Sequence, residues 1–135
     1  MKKICFILVL LLTVSMLCGC GGYVKSYAAT FLITSCYGDE ASMEFDTFNG
    51  TYHFKVKRDG FAENTLDYEA ELAKGEMNVY IGVDGEKEWL FTVKGGESHH
   101  ETITLAPKYA DEKAVYLILE TADKCMDGDF EFEYN

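Results

Sequence analysis

The stretch Met77-Asn78-Val79-Tyr80-Ile81-Gly82-Val83-Asp84-Gly85-Glu86-Lys87-Glu88-Trp89-Leu90-Phe91-Thr92-Val93 decides the fold class. Met77, Val79, Ile81 and Val83 recur at every second position, the spacing that puts apolar side chains on one face of a strand. Asp84-Gly85 then supplies two residues that tolerate positive φ, which a tight hairpin turn requires. A second strand, Glu88 to Val93, follows, and two strands joined so closely run antiparallel.

The same pattern extends in both directions. Tyr52, Phe54 and Val56 alternate with His53, Lys55 and Lys57 before a turn at Asp59-Gly60. Leu66, Tyr68, Ala70 and Leu72 alternate with Asp67, Glu69 and Glu71, and Lys74-Gly75 reads as the next turn. Beyond Gly95-Gly96 come Ile103 and Leu105, then the run Ala114 to Thr121, apolar on both sides as a central strand is. Phe130, Phe132 and Tyr134 close the chain inward, with Asp129, Glu131 and Glu133 outward. Counting Ser42 to Asp46, this predicts an all-β, antiparallel two-sheet β-sandwich of about eight strands over residues 37–135. Tyr23 to Cys36 fits an edge strand or a short helix, because a short apolar run does not fix the period.

Composition agrees with a packed domain. The chain has 135 residues, 48% hydrophobic and 14% aromatic with a single Pro, which excludes a disordered chain that cannot bury enough apolar surface to offset ordering entropy. The 23 acidic residues outnumber the 12 basic ones and all lie from Asp39 onward. Nucleic acid is excluded as a partner, since its binding depends on Lys and Arg displacing counterions from phosphates. So acidic a surface is expected to be repelled by anionic lipid headgroups.

At the N-terminus, Met1-Lys2-Lys3 is a short positive segment and Ile4 to Leu17 an apolar run interrupted only by Thr13 and Ser15. These features read as a signal peptide over residues 1–19. Its end, Leu17-Cys18-Gly19-Cys20, resembles the lipobox of bacterial lipoproteins: Leu three positions before the cut, a small residue just before it, and the acceptor Cys after it. The resemblance implies that Cys20 carries lipid such as palmitate, so residues 20–36 form a lipidated N-terminus with a tether or edge segment. It places the domain on the cell membrane, lipid-anchored, on the extracytoplasmic side. Loss of Lys2 and Lys3 with the leader takes the formal charge from −11 to −13. Of five cysteines, Cys36 and Cys125 are then left, either as one disulfide closing a long loop or as two small buried apolar side chains.

Phe48-Asn49-Gly50-Thr51-Tyr52, Gly75-Glu76-Met77-Asn78-Val79-Tyr80-Ile81, Val115-Tyr116-Leu117-Ile118-Leu119 and Asp127-Gly128-Asp129-Phe130-Glu131-Phe132 follow one another at strand spacing. This order resembles the small jelly-roll sandwiches of secreted bacterial proteins, of the pre-peptidase C-terminal and carbohydrate-binding-like type. The resemblance implies a jelly-roll-like fold and a non-catalytic accessory role.

Few residues carry legible chemistry. His99 and His100 are strand neighbours that point to opposite faces, so they do not share a metal. Asp123, Asp127 and Asp129, joined by Asp39 and Glu40 if the ends of the domain meet, are the candidate calcium ligands, though the twelve-residue EF-hand spacing is lacking. No nucleophile motif and no phosphate-binding glycine loop is present, and no cofactor is expected. Tyr80 and Tyr116 fall on the outward side of their strands and are the candidate binding surface. The expectation is a non-catalytic module binding an envelope polysaccharide or a secreted protein. The alternatives are an inhibitor of a cationic envelope enzyme such as lysozyme and a small glycan hydrolase.

Mass spectrometry of the membrane-extracted protein should find the mature N-terminus at Cys20 with diacyl modification, and Cys20→Ala should leave the precursor uncut. A soluble product cut elsewhere contradicts the assignment.

Overall fold

A computed structural model describes residues 23–59 and 63–135. The expected leader over residues 1–19, Cys20 and the Gly60 half of the expected Asp59-Gly60 turn lie outside the described residues. Seven strands are present: β1 (Ser26–Thr30), β2 (Ile33–Tyr37), β3 (Glu40–Lys57), β4 (Thr65–Val83), β5 (Glu86–Lys94), β6 (Glu97–Thr104) and β7 (Ala114–Tyr134). A 3-10 turn, Pro107–Tyr109, precedes β7. Every pairing is antiparallel, in the order β1-β3-β7-β4-β5, with β2 also on β3 and β6 also on β4. The Tyr23 to Cys36 stretch is therefore strand, and the sheet begins at Ser26.

The sandwich arises from one sheet folded over on itself. β3, β4 and β7 are 18, 19 and 21 residues long, and each passes through both layers. The first layer holds β2, β6, the N-terminal halves of β3 and β4, and the C-terminal half of β7. The second holds β1, β5 and the remaining halves. Lys74-Gly75 is accordingly no chain reversal, and the strands expected on either side of it are one strand; the same is true of the runs flanking Asp46 and Cys125. Chain reversals come instead from Gly38-Asp39, between the paired Tyr37 and Glu40, and from Asp84-Gly85, between Val83 and Glu86. At the latter, both φ values are positive, 56° and 82°, the hairpin geometry that this dipeptide predicts.

A strand that bends between layers must also change which parity faces inward. β4 buries Leu66, Tyr68, Ala70 and Leu72, then Met77, Val79 and Ile81. β3 switches from Ala41, Met43 and Phe45 to Phe48, Tyr52, Phe54 and Val56, and β7 from Leu117 and Leu119 to Phe130, Phe132 and Tyr134. In β4 register shifts around Lys74 to Met77 mark the switch, whereas in β3 the inward side changes between Phe45 and Phe48, beside the positive-φ Asp127 of β7, and a register shift follows between Phe48 and Thr51. Such bulges bend a strand and shift its side-chain phase by one. Gly75, at φ 97°, presses on β7 so closely that a Cβ would fall 2.5 Å from the Lys124 carbonyl oxygen and 2.8 Å from the Cys125 Cα. Gly50, at φ 136°, stands in the same relation to β1, 2.2 Å from the Ser26 oxygen.

Across the fold the layers meet ring on ring. Tyr68 of the first stacks on Phe91 of the second at 3.8 Å and 9°. The expected core residues Tyr52, Phe54, Val56, Leu66, Tyr68, Val79, Ile81, Phe91, Leu117, Leu119, Phe130 and Phe132 are all buried, and Ile103 packs half-buried against them. At the open end, Arg58 is the one buried charged side chain among the described residues. Its Nη1 donates to Asn135 O at 2.8 Å, its Nη2 to Tyr109 O and Ala110 O at 2.6 and 2.9 Å, and its guanidinium lies 4.2 Å over the Tyr134 ring. Burial of this charge is tolerable because both Nη groups are hydrogen-bonded.

Leu117→Ala should cost about 2 to 5 kcal/mol by urea denaturation, as large-to-small changes at fully buried sites do. Gly75→Ala should destabilise by well over the ~1 kcal/mol that glycine's positive φ alone accounts for, because backbone stands where the methyl goes. Neutral outcomes for both would contradict the folded-over packing.

Candidate functional site

Sequence-selected positions come first. Tyr80 and Tyr116 do face outward on the second layer, but they do not form an open aromatic row. Tyr23 covers Tyr116 at 4.7 Å between ring centroids and donates its hydroxyl to Glu86 O at 2.7 Å. Tyr80 lies 4.5 Å beneath the Lys87 ammonium and pairs across strands with Trp89. Trp89, 59% exposed, is the open aromatic of this face, and alternation alone missed it because a bulge between Val79 and Tyr80 shifts its phase.

Both remaining cysteines are free, so the disulfide option is not realised. Cys36 pairs with Ala41 and Cys125 with Phe48, seven residues farther along β3. At about 3.3 Å per residue that is roughly 20 Å, far beyond disulfide reach. Burial pushes the Cys125 thiol up to about 11 and leaves it unreactive at neutral pH.

The calcium candidates are not gathered either. Asp123 pairs with Glu76, Asp127 sits at the bend of β7 with φ 51°, and Asp129 pairs with Glu44 and Glu71. Among the described residues no group of three or more His, Cys, Asp or Glu is arranged to hold a metal ion. Asp39 and Glu40 meet the end of β7, with Tyr134 N donating to Asp39 O at 2.8 Å, rather than the Asp127 bend. His99 and His100 lie opposite Ala70 and Glu69, on opposite sides of β6 as expected.

What the topology does assemble is the outer face of the first layer. Side chains there fall into three cross-strand rows. The first runs Tyr37, Glu40, Glu133, Asp67, Thr102; the second Ser35, Ser42, Glu131, Glu69, His100; the third Ile33, Glu44, Asp129, Glu71, Ser98. Five directly opposed pairs are thus carboxylate against carboxylate. Such pairs stand about 5 Å apart at Cβ, and like charges so placed destabilise a sheet. On this face His100 Nδ1 lies 3.3 Å from Glu69 Oε1. The first two rows line a cleft of about 520 Å³. Tyr37, 85% exposed, is part of its lining, and Ile33, 66% exposed, stands outside it on the third row. Alternation had already placed Asp67, Glu69, Glu71, Asp129, Glu131 and Glu133 outward; that they share one face required the β4-β7 pairing.

The crowding shows in Glu133. Desolvation first, then the negative Asp39, Asp67 and Glu40, raise its carboxyl above the usual range. Tyr68, beneath the same face, is pushed up to about 12 by burial and by its hydrogen bond to Glu101 Oε2 at 3.0 Å.

No protein-family model matches the chain. No curated protein sequence matches it either. Among solved structures, protein NMB1881 from Neisseria meningitidis is similar at a TM-score of 0.37 and 13% identity, over 80% of this chain and 86% of that one. A structure described as "CBM4 structure and function" gives 0.42 and 12%, over 80% and 81%. Drosophila melanogaster CENP-C bound to CAL1 gives 0.34 and 12%, over 87% and 82%. At these scores the likenesses carry no functional argument, and the site stands on its own geometry.

Glu133→Gln should raise stability at pH 7. A carboxyl whose folded pKa is raised contributes fully below its unfolded pKa, and the contribution is lost as pH rises through the folded value. The variant should therefore melt higher by the equivalent of about 0.2–1 kcal/mol, the range for one cross-strand pair, with the difference fading as pH falls below the carboxylate range. Glu88 and Glu97 are held low by Lys108 and by the Lys94 N–H and act in the opposite sense, so the parent-minus-variant difference is the measurement. An unchanged or lowered melting temperature at pH 7 contradicts the crowding.

Proposed function

We propose that this chain is a lipid-anchored, non-catalytic module on the extracytoplasmic side of a membrane, and that it captures a cationic protein on the outer face of its first layer. The observation that carries the reading is the three rows of opposed carboxylates. A fold that only needed solubility would disperse its charge, whereas one that must attract a basic surface concentrates it and bears the repulsion. A 520 Å³ cleft lined by exposed Tyr37, with exposed Ile33 on the row beyond it, adds apolar anchor points of the kind that dominate protein interfaces. Neutral envelope polysaccharide is the weaker partner on this face, because stacking on sugars calls for open aromatic faces and not for carboxylates. The narrower form of the reading is inhibition of a cationic envelope enzyme such as lysozyme, for which the cleft offers a negative, concave counterpart to a basic enzyme surface.

Stopped-flow association with a panel of basic proteins, lysozyme first, tests this. The rate constant should fall by about an order of magnitude or more between roughly 0.01 and 0.15 M salt, as steered encounters do. Glu69→Gln with Glu131→Gln should lower both the rate and its salt dependence, and Trp89→Ala should change neither. Loss of lysozyme turnover in the same mixtures would identify the inhibitory form. Salt-independent binding, or binding to none of the basic proteins at low salt, overturns the reading. Turnover of a wall glycan by the purified protein, abolished by one Asp or Glu substitution, replaces it with the hydrolase.

A further inference from the structure

The opposite face of the molecule mixes the two signs, with Lys55, Lys57, Lys87 and Lys94 standing among Glu76, Glu120 and Asp123. Lys55, Lys57 and Lys87 project from the outer side of the second layer, where Glu120 is held by Lys87 Nζ at 2.5 Å. Trp89, the only tryptophan in the chain, stands exposed beside them. The N-terminal segment is laid across this same face. Tyr23, buried on Tyr116 and bonded to Glu86 O, fits only because residue 82 is Gly: a Cβ there would lie 2.3 Å from the Tyr23 hydroxyl oxygen. Val24 follows, its carbonyl 3.4 Å from His53 Nδ1 and its side chain 66% exposed.

We infer that the second layer's outer face rests on an anionic phospholipid surface, so that the carboxylate face points away from the membrane. The inference rests on the lipid-anchor reading, since it takes Cys20 as the acyl-bearing residue. Cys20 is three residue-to-residue steps from the docked Tyr23, and at no more than about 3.6 Å each these reach roughly 11 Å at most. The anchor therefore holds the face on which Tyr23 is docked next to the headgroups. Charge complementarity acts in the same sense: lysines on this face lie near a Debye length, about 8 Å, of the anionic surface, while the carboxylate rows are screened on the far side of the sandwich. An exposed Trp is at home in that interfacial layer. Repulsion between an acidic protein and anionic lipid, expected from net charge alone, then becomes an orienting force rather than an exclusion. A partner captured on the carboxylate face is met from the aqueous side.

The test uses the full-length protein processed in cells and reconstituted into vesicles of phosphatidylcholine and phosphatidylglycerol with acyl chains brominated close to the glycerol. Flotation reports the anchor and Trp89 emission reports the orientation. The floating protein should show blue-shifted Trp89 emission, mostly lost to the brominated lipid. A Trp89→Phe, Tyr37→Trp variant, with its tryptophan on the carboxylate face, should float yet keep its emission. Lys55→Glu with Lys57→Glu and Lys87→Glu should float with much of the Trp89 quenching relieved. Floating protein with unquenched Trp89, quenching of the tryptophan at position 37 to the same degree, or a triple variant quenched like the parent each overturns the orientation while leaving the anchor intact. Trp89 emission that responds to soluble wall-glycan fragments and not to lipid overturns it in favour of a glycan site. Protein that does not float removes the anchor, and the orientation with it.

Discussion

Three long strands must each turn their apolar side from odd to even positions, or the reverse, at the place where they cross between layers. Without that shift one half of β3, β4 or β7 would present its Asp and Glu to the core and its Leu and Phe to water. The bends need backbone room, and Gly75 and Gly50, close to them, supply it against β7 and β1. Gly128 leaves space of another kind, since the Phe45 ring stands where its Cβ would be. Each of the three strands therefore carries one glycine near its bend, and the interior built from Phe45, Phe48, Tyr68, Phe91 and Phe130 depends on all of them.

The folded-over sheet brings the strand ends together at the side away from the bends. Arg58 ties that side by donating to three carbonyl oxygens, and the main chains of Thr65 and Asn135 bond each other in both directions, at 2.9 and 3.0 Å. A buried guanidinium is costly when its donors are unmet and neutral to favourable when they are met. Here Nη1 and Nη2 both are, and the Tyr134 ring packs beneath the plane. The open end is thereby fixed as firmly as the bent one, which keeps the two outer faces in a constant relation to each other.

Those two faces differ in charge: one is carboxylate throughout, the other mixed. One bears three rows of opposed carboxylates and a cleft edged by Tyr37; the other bears exposed Lys55, Lys57, Lys87 and Trp89 beside the N-terminal segment that covers Tyr116. The separation gives the module a direction as well as a net charge. Under the proposed function, the lysine face meets lipid and the carboxylate face meets the partner, so anchoring and capture do not compete for one surface.

Alternation is a local property, and it was legible residue by residue: the strand character of 51–57, 65–72, 77–83, 88–93 and 114–121, the Asp84-Gly85 hairpin and the outward direction of Asp67, Glu69, Glu131 and Glu133 all follow from spacing along the chain. The expected leader and the lipobox-like Leu17-Cys18-Gly19-Cys20 are local in the same sense, since each is read from contiguous residues. Pairing is not local. That Lys74-Gly75 is a bend and not a turn depends on whether β7 continues alongside, and that Glu133 stands between Glu40 and Asp67 depends on strands more than sixty residues apart in sequence choosing β7 as their common neighbour. The cover of Tyr23 over Tyr116 and the separation of Cys36 from Cys125 are likewise set by register. Sequence fixes which side of a strand a residue occupies, but which residues share a face is decided only when long-range pairing brings the strands together, and the charge field of this protein comes from that second step.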